Sequence, residues 1–139
     1  MSAKDRFHDV AKKALQKDNW QITHDLLTLQ VDGLTDMYVD LGAEKIIAAQ
    51  KDSKKIAVEI KSFLSASTIF EFHTAIGQYI NYRYALQERE PERVLYLAVP
   101  LNTYNNFFSR SFIQSVIQRS QVYLIVYDPK KEEIVQWQT

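Results

Sequence analysis

Cysteine is absent from the 139 residues. That excludes a disulfide framework and any thiolate metal site, and it fits a cytoplasmic protein. Glycine and proline are scarce, at three residues each. Gly33, Gly42 and Gly77 stand too far apart to make a loop that cradles a nucleotide phosphate. An excess of either charge is also missing, since 17 lysines and arginines balance 17 aspartates and glutamates. Net charge therefore gives no argument for nucleic acid, although local basic patches stay open. No apolar run is long enough to span a bilayer and no leader-like stretch opens the chain, so no membrane contact is expected. His8, His24 and His73 form no H-x-x-x-H pair, which argues against zinc. His8, beside Asp9, reads as a surface or hydrogen-bonded residue, with an approach to the acidic site as the rival.

What is present is a chain of single-domain length, residues 1–139, rich in tyrosine and phenylalanine. Phe7, Val10, Ala11, Ala14 and Leu15 recur at helical spacing, which predicts a first helix from a Ser2 cap to about Lys17. Short strands are expected at Trp20–Ile22 and within Leu26–Val31. A long helix should start at Ser67 or Thr68, with Glu71 in its first turn, and end near Gln87. Glu88–Arg93 reads as a solvated break. Val94–Val99 is almost wholly apolar, the mark of a central strand buried on both faces. A loop, a short helix to about Gln118, a strand to Tyr127 and an edge strand at Ile134–Trp137 complete the order. A helix between two compact strands implies a crossover, hence a mixed sheet with helices on both faces.

The chemistry concentrates between Asp36 and Lys61. The polar break Lys51-Asp52-Ser53-Lys54-Lys55 separates two apolar runs, the pattern of a strand pair. Glu59 and Lys61 share one face of the second strand, while Val58 and Ile60 share the other. The return of the chain brings Asp40 towards Glu59, although a bulge would put Asp36 or Glu44 there instead. Two carboxylates suit a hard divalent cation, and a lysine beside them suits charge that develops on a phosphate. The plainer alternative is a structural ion-pair network of Asp40, Glu59 and Lys61.

Asp40 on one strand, Glu59-Ile60-Lys61 ending the next and a long helix after it resemble the PD-(D/E)xK phosphodiesterases, which include restriction endonucleases. More closely, the chain is similar over essentially its full length to the XisH family. The marks are Ala3-Lys4-Asp5 through His8, Asp40-Leu41-Gly42-Ala43-Glu44, Ala57 through Phe63, Gly77-Gln78-Tyr79 and Val122 to Asp128. The resemblance implies a restriction-endonuclease-like fold: an α/β three-layer sandwich with a mixed central sheet flanked by helices. It implies magnesium or manganese on Asp40 and Glu59, with the Ile60 carbonyl as a further ligand, and Lys61 as the catalytic lysine. Gln78 matches a polar residue that often faces the site, and Asp5 or Asp9 would supply an acidic group from the first helix. Val39 stands where the superfamily usually has proline. The family name implies control of excision of the fdxN DNA element, together with a small XisI-like protein partner. DNA is the implied substrate, and a homodimer is the usual way such enzymes cut both strands. A nuclease-like module that is inactive and works through its partner is the alternative.

Leu101–Phe108, with Tyr104-Asn105-Asn106-Phe107-Phe108, reads as a loop, with a helical turn already inside it as the alternative. Exposed aromatics there would stack on a base or dock a partner, and the competing reading makes them core plugs. Lys51, Lys54 and Lys55 read as a solvated hairpin tip with a DNA-backbone contact as the rival.

Overall fold

The computed structural model describes residues 3–33, 36–47 and 52–139. Helix α1 spans Ala3–Lys17 and buries Phe7, Ala11, Ala14 and Leu15 along one stripe. Its expected cap, Ser2, lies outside the described residues. Asn19 ends the helix with φ of 68°, and the Trp20 N–H returns to the Leu15 carbonyl at 3.0 Å.

Strand β1 (Gln21–His24) follows, then a short ribbon of β2 (Leu27–Leu29) and β3 (Met37–Val39). Strands β4 (Leu41–Ile47) and β5 (Asp52–Ile60) form the expected antiparallel pair. Lys51 lies outside the described residues, and Lys54 and Lys55 do not sit at a hairpin tip: they belong to β5, paired with Lys45 and Glu44. Helix α2 (Thr68–Arg89) crosses over to β6 (Arg93–Pro100), which lies parallel to β5. A short helix α3 (Leu101–Thr103), a π-helical turn (Tyr104–Phe108) and helix α4 (Ser111–Arg119) lead to β7 (Leu124–Asp128), parallel to β6. Strand β8 (Glu133–Gln138) closes the edge antiparallel to β7. The mixed sheet thus has the order β1-β4-β5-β6-β7-β8.

Strand alternation divides the core into two layers. On one face Ile56, Val58, Ile60, Ala98, Ile125 and Tyr127 meet the stripe of α1. On the other, Ala57, Leu95, Leu97, Val99, Leu124 and Val126 meet α2, α4 and the β2–β3 ribbon. The result is a three-layer α/β sandwich. Ser67 caps α2, its Oγ accepting the Phe70 N–H at 3.3 Å. The helix runs to Arg89, past the expected end.

Two expectations need correction. Arg93 is not solvated: it is buried, and its guanidinium donates to the Ile56 carbonyl at 2.8 Å and to Glu90 Oε1 at 3.1 Å. The aromatic segment is not an exposed loop either. It coils into the π-helical turn, which drives Phe108 to zero exposure against Phe72 and Phe63. Phe107 is half-buried against the same rings, and the Tyr104 hydroxyl bonds to Gln138 Oε1 at 2.9 Å. The phenylalanines fill the core layer under α2, so Phe108 is closed to any partner or base.

Candidate active site

Register settles which acidic residue faces Glu59. Leu41 pairs with Val58, so Asp40, at the bend where β3 passes into β4, falls opposite Glu59. Glu44 pairs with Lys55 farther down the hairpin and bonds to it at 3.8 Å. Asp40 and Glu59 then engage each other through the main chain. The Asp40 N–H donates to Glu59 Oε1 at 3.3 Å, and the Ile60 N–H donates to Asp40 Oδ2 at 2.7 Å. Lys61 lies two residues beyond Glu59 on the same face, with Nζ 3.5 Å from Glu59 Oε2. Its backbone N–H is tied to the Ala98 carbonyl of β6 at 3.0 Å.

The electrostatics of this corner are unfavourable to two bare carboxylates. Burial, reinforced by the neighbouring charge of Asp40, pushes the Glu59 carboxyl up to about 8 against the pull of Lys61. The same charges act at a distance: burial first, then Glu59 and Asp40, raise the Tyr82 phenol on α2. A divalent cation would relieve this repulsion, so the donor set fits a hard ion with oxygen ligands. Among the described residues no three His, Cys, Asp or Glu side chains gather to hold a metal ion unaided. An ion here would take further positions from water or backbone, as magnesium commonly does.

Beside the carboxylates opens a cavity of about 430 Å³. Phe7 and His8 of α1, Asp40, Ile60, Lys61 and Glu71 contribute to its wall. The chain turns sharply after Lys61, where Phe63 takes φ of 56°. That conformation costs a bulky residue about 1–3 kcal/mol. Edge-on packing of its ring on Phe108, with centroids 5.2 Å apart, holds it there. Glu71 Oε1 accepts the Ser65 N–H at 3.3 Å and so fastens the loop that walls the cavity.

The other expected residues distribute unevenly. Gln78 follows Thr74 by one turn of α2; it is half-buried, and its Oε1 is buried without a hydrogen-bond partner among the described residues. It does not line the cavity. Asp9 is exposed and stands outside the cavity wall, because α1 turns Phe7 and His8 towards it instead. The side chain of Asp5 lies outside the described residues. His8, whose hydrogen-bonded reading and approach to the site prove compatible, lies 3.9 Å from Asp40 through Nδ1. Asp25 is the residue that sequence reasoning did not place there: in the bend after β1, it accepts from His8 Nε2 at 2.8 Å.

Comparison with known proteins agrees with this arrangement of elements. The family model described as XisH protein matches residues 1–135. The chain belongs to the XisH family. The crystal structure of an XisH family protein from Nostoc punctiforme superposes with a TM-score of 0.88 at 51% identity, covering 97% of this chain and 100% of that one. An fdxN element excision controlling factor protein from Anabaena variabilis gives 0.87 at 52% identity, covering 97% and 99%. No curated protein matches. In this XisH-family chain no helix of the described residues is long and apolar enough to cross a membrane.

Proposed function

We propose that this XisH-family protein acts in the control of DNA-element excision as a divalent-metal-dependent DNA phosphodiesterase. The observation that carries the reading is Glu59, buried against Asp40 with Lys61 as its one close cation among the described residues. A buried carboxylate beside a second, half-buried one is costly to fold and suits a cation-binding centre. Magnesium or manganese, when bound, supplies positive charge that polarises a phosphate and favours ionisation of water. The remaining roles fall to the chain itself. Asp40 and Glu59 present oxygen ligands held by the main chain, with the Ile60 carbonyl at the same strand end. Lys61, partly exposed on the rim, meets the phosphate oxygen on which charge grows. The name of the Anabaena relative supports the excision role.

A second reading is a nuclease-fold module that works through a small XisI-like partner. Exposed Leu64, Ile69 and Phe70, clustered in sequence where α2 begins, favour it. The experiment is cleavage of linear, supercoiled and branched DNA in magnesium or manganese, with and without the partner. Wild type is compared with Glu59→Ala and Lys61→Ala. Metal-dependent cleavage lost in both variants supports the phosphodiesterase. No cleavage by folded, partner-binding wild type on any substrate overturns it in favour of the module.

A further inference from the structure

His8 takes no part in the carboxylate–lysine chemistry, yet it lines the cavity beside Asp40. His8 and Lys12 stand one turn apart on α1, and both grip Asp25. Nε2 of His8 meets Asp25 Oδ1 at 2.8 Å, and Lys12 Nζ meets Oδ2 at 2.8 Å. An ionised carboxylate only accepts hydrogen bonds, so Nε2 of His8 carries a hydrogen, and the neutral ring would offer its lone pair at Nδ1.

This fixes what the ring offers the cavity. Nδ1 is the nitrogen towards Asp40, 3.9 Å from Oδ1 and too far for a direct hydrogen bond. The other oxygen of Asp40 is occupied by the Ile60 N–H. Glu59 does not line the cavity, and its oxygens face the Asp40 N–H and Lys61. The atoms left open to an occupant are therefore Asp40 Oδ1 and His8 Nδ1. A ring whose second nitrogen is bound to a carboxylate is the usual posture of a ligating histidine. At 3.9 Å the two atoms stand wider than the roughly 3.0–3.4 Å that two bonds of about 2.1 Å span at right or tetrahedral angles, so the ring would close in by about half an ångström to share one ion.

We propose that His8 Nδ1 and Asp40 Oδ1 jointly ligate the divalent cation, with Asp25 and Lys12 as the support that orients the ring. The inference rests on the reading that Asp40 holds a cation. It alters that site in one respect. His8, Asp40 and Glu59 do not converge as a trio, so Glu59 stands behind Asp40 and positions it through the main chain. A nitrogen ligand also changes the preference of the site. Imidazole suits first-row transition ions, whereas magnesium favours oxygen, so manganese should bind better than magnesium.

The test uses the full chain with Mn²⁺ and Mg²⁺ as probes, by titration calorimetry and pulsed electron paramagnetic resonance of bound Mn²⁺. Protein with ¹⁵N-labelled histidine identifies a ligating imidazole without any substitution. A directly bound nitrogen should appear in wild type, persist in a His24→Ala/His73→Ala double variant and vanish in His8→Ala. Mn²⁺ affinity should fall by about tenfold or more in His8→Ala and by roughly tenfold in Asp25→Asn. The Mg²⁺ affinity should change by less than about threefold, because that ion leans on oxygen. Mn²⁺ bound without a histidine signal, at an affinity unchanged by His8→Ala, would overturn the role of His8 and leave the carboxylate site standing. Wild type that binds neither ion would overturn both.

Discussion

The backbone N–H of Ile60 reaches Oδ2 of Asp40 at 2.7 Å, while Asp40 sends its own N–H to Glu59 Oε1 at 3.3 Å. The two carboxylates thus replace ladder carbonyls at the point where Asp40 bends away from the hairpin. Each is an acceptor for the other strand as well as a charge. Asp40→Ala should leave the Ile60 N–H without its partner, and losing such a partner costs about 1–3 kcal/mol. Asp40→Asn keeps an acceptor and should cost less than about 1 kcal/mol, within the worth of one neutral hydrogen bond. Urea midpoints of the metal-free proteins compare the two.

Stability without metal should depend on pH through Glu59. Its folded carboxyl sits at about 8, above the ordinary 4.5, so the folded state holds a proton that the unfolded chain has released. The contribution is fully present below 4.5 and is lost as pH rises through about 8. Thermal midpoints in a chelator should fall over this window, and Glu59→Gln should flatten the fall. A profile rising with pH in wild type but not in the variant would contradict the assignment.

Removing the lysine should move the glutamate further. The Lys61 ammonium, 3.5 Å from Glu59 Oε2, is the cationic side chain that holds the Glu59 midpoint down. Lys61→Met should therefore titrate Glu59 at higher pH, followed by the carboxyl ¹³C shift. An unchanged midpoint would mean that the pair is open in solution.

Gly42 should not tolerate a side chain. A Cβ at this position would stand 3.0 Å from His24 Nδ1 and 3.1 Å from Arg93 Nη1. Arg93 is buried and committed to the Ile56 carbonyl, so it has little freedom to yield. Gly42→Ala should destabilise by about 1–3 kcal/mol, the usual cost of overpacking. A chemical denaturation series reads it directly.

Tyr79 joins helix to sheet. Its hydroxyl donates to the Leu95 carbonyl at 2.7 Å and accepts the Tyr123 N–H at 3.1 Å. Tyr79→Phe orphans both partners and should cost about 1–3 kcal/mol. Amide exchange at Tyr123 should quicken in the same variant.

Much of this arrangement can be read from residue order. Period-two alternation in Ile56–Ile60 places Glu59 and Lys61 together, and the apolar runs announce the strand pair, although β5 begins inside the polar break, at Asp52. Opposition of Asp40 to Glu59, rather than Asp36 or Glu44, needed the register, which depends on packing of both strands. Asp9 was excludable in advance. At about 100° per residue, it falls on the far side of α1 from Phe7, Ala11 and Ala14. The grip of His8 and Lys12 on Asp25 was not, because it joins a helix face to a bend whose position only tertiary packing determines. The asparagines of 102–106 suggested a loop around Tyr104–Phe108, and the pull of Phe108 into the core prevailed over that local preference.

The seat of α1 carries a consequence for the order of folding. Asp40 and Glu59 meet across 19 residues, within one hairpin, so their contact closes a short loop. Helix α1, which carries His8, instead rests on the far end of the chain. Lys17 bonds to the Lys131 carbonyl 114 residues away, Lys13 lies 3.5 Å from Glu132, and Trp20 meets Trp137 at 5.7 Å. During synthesis both carboxylates have left the ribosome long before β8 does. The histidine wall is complete only when the two ends of the sandwich are joined, so a chain cut short before β8 would carry the acidic pair on an unfinished pocket.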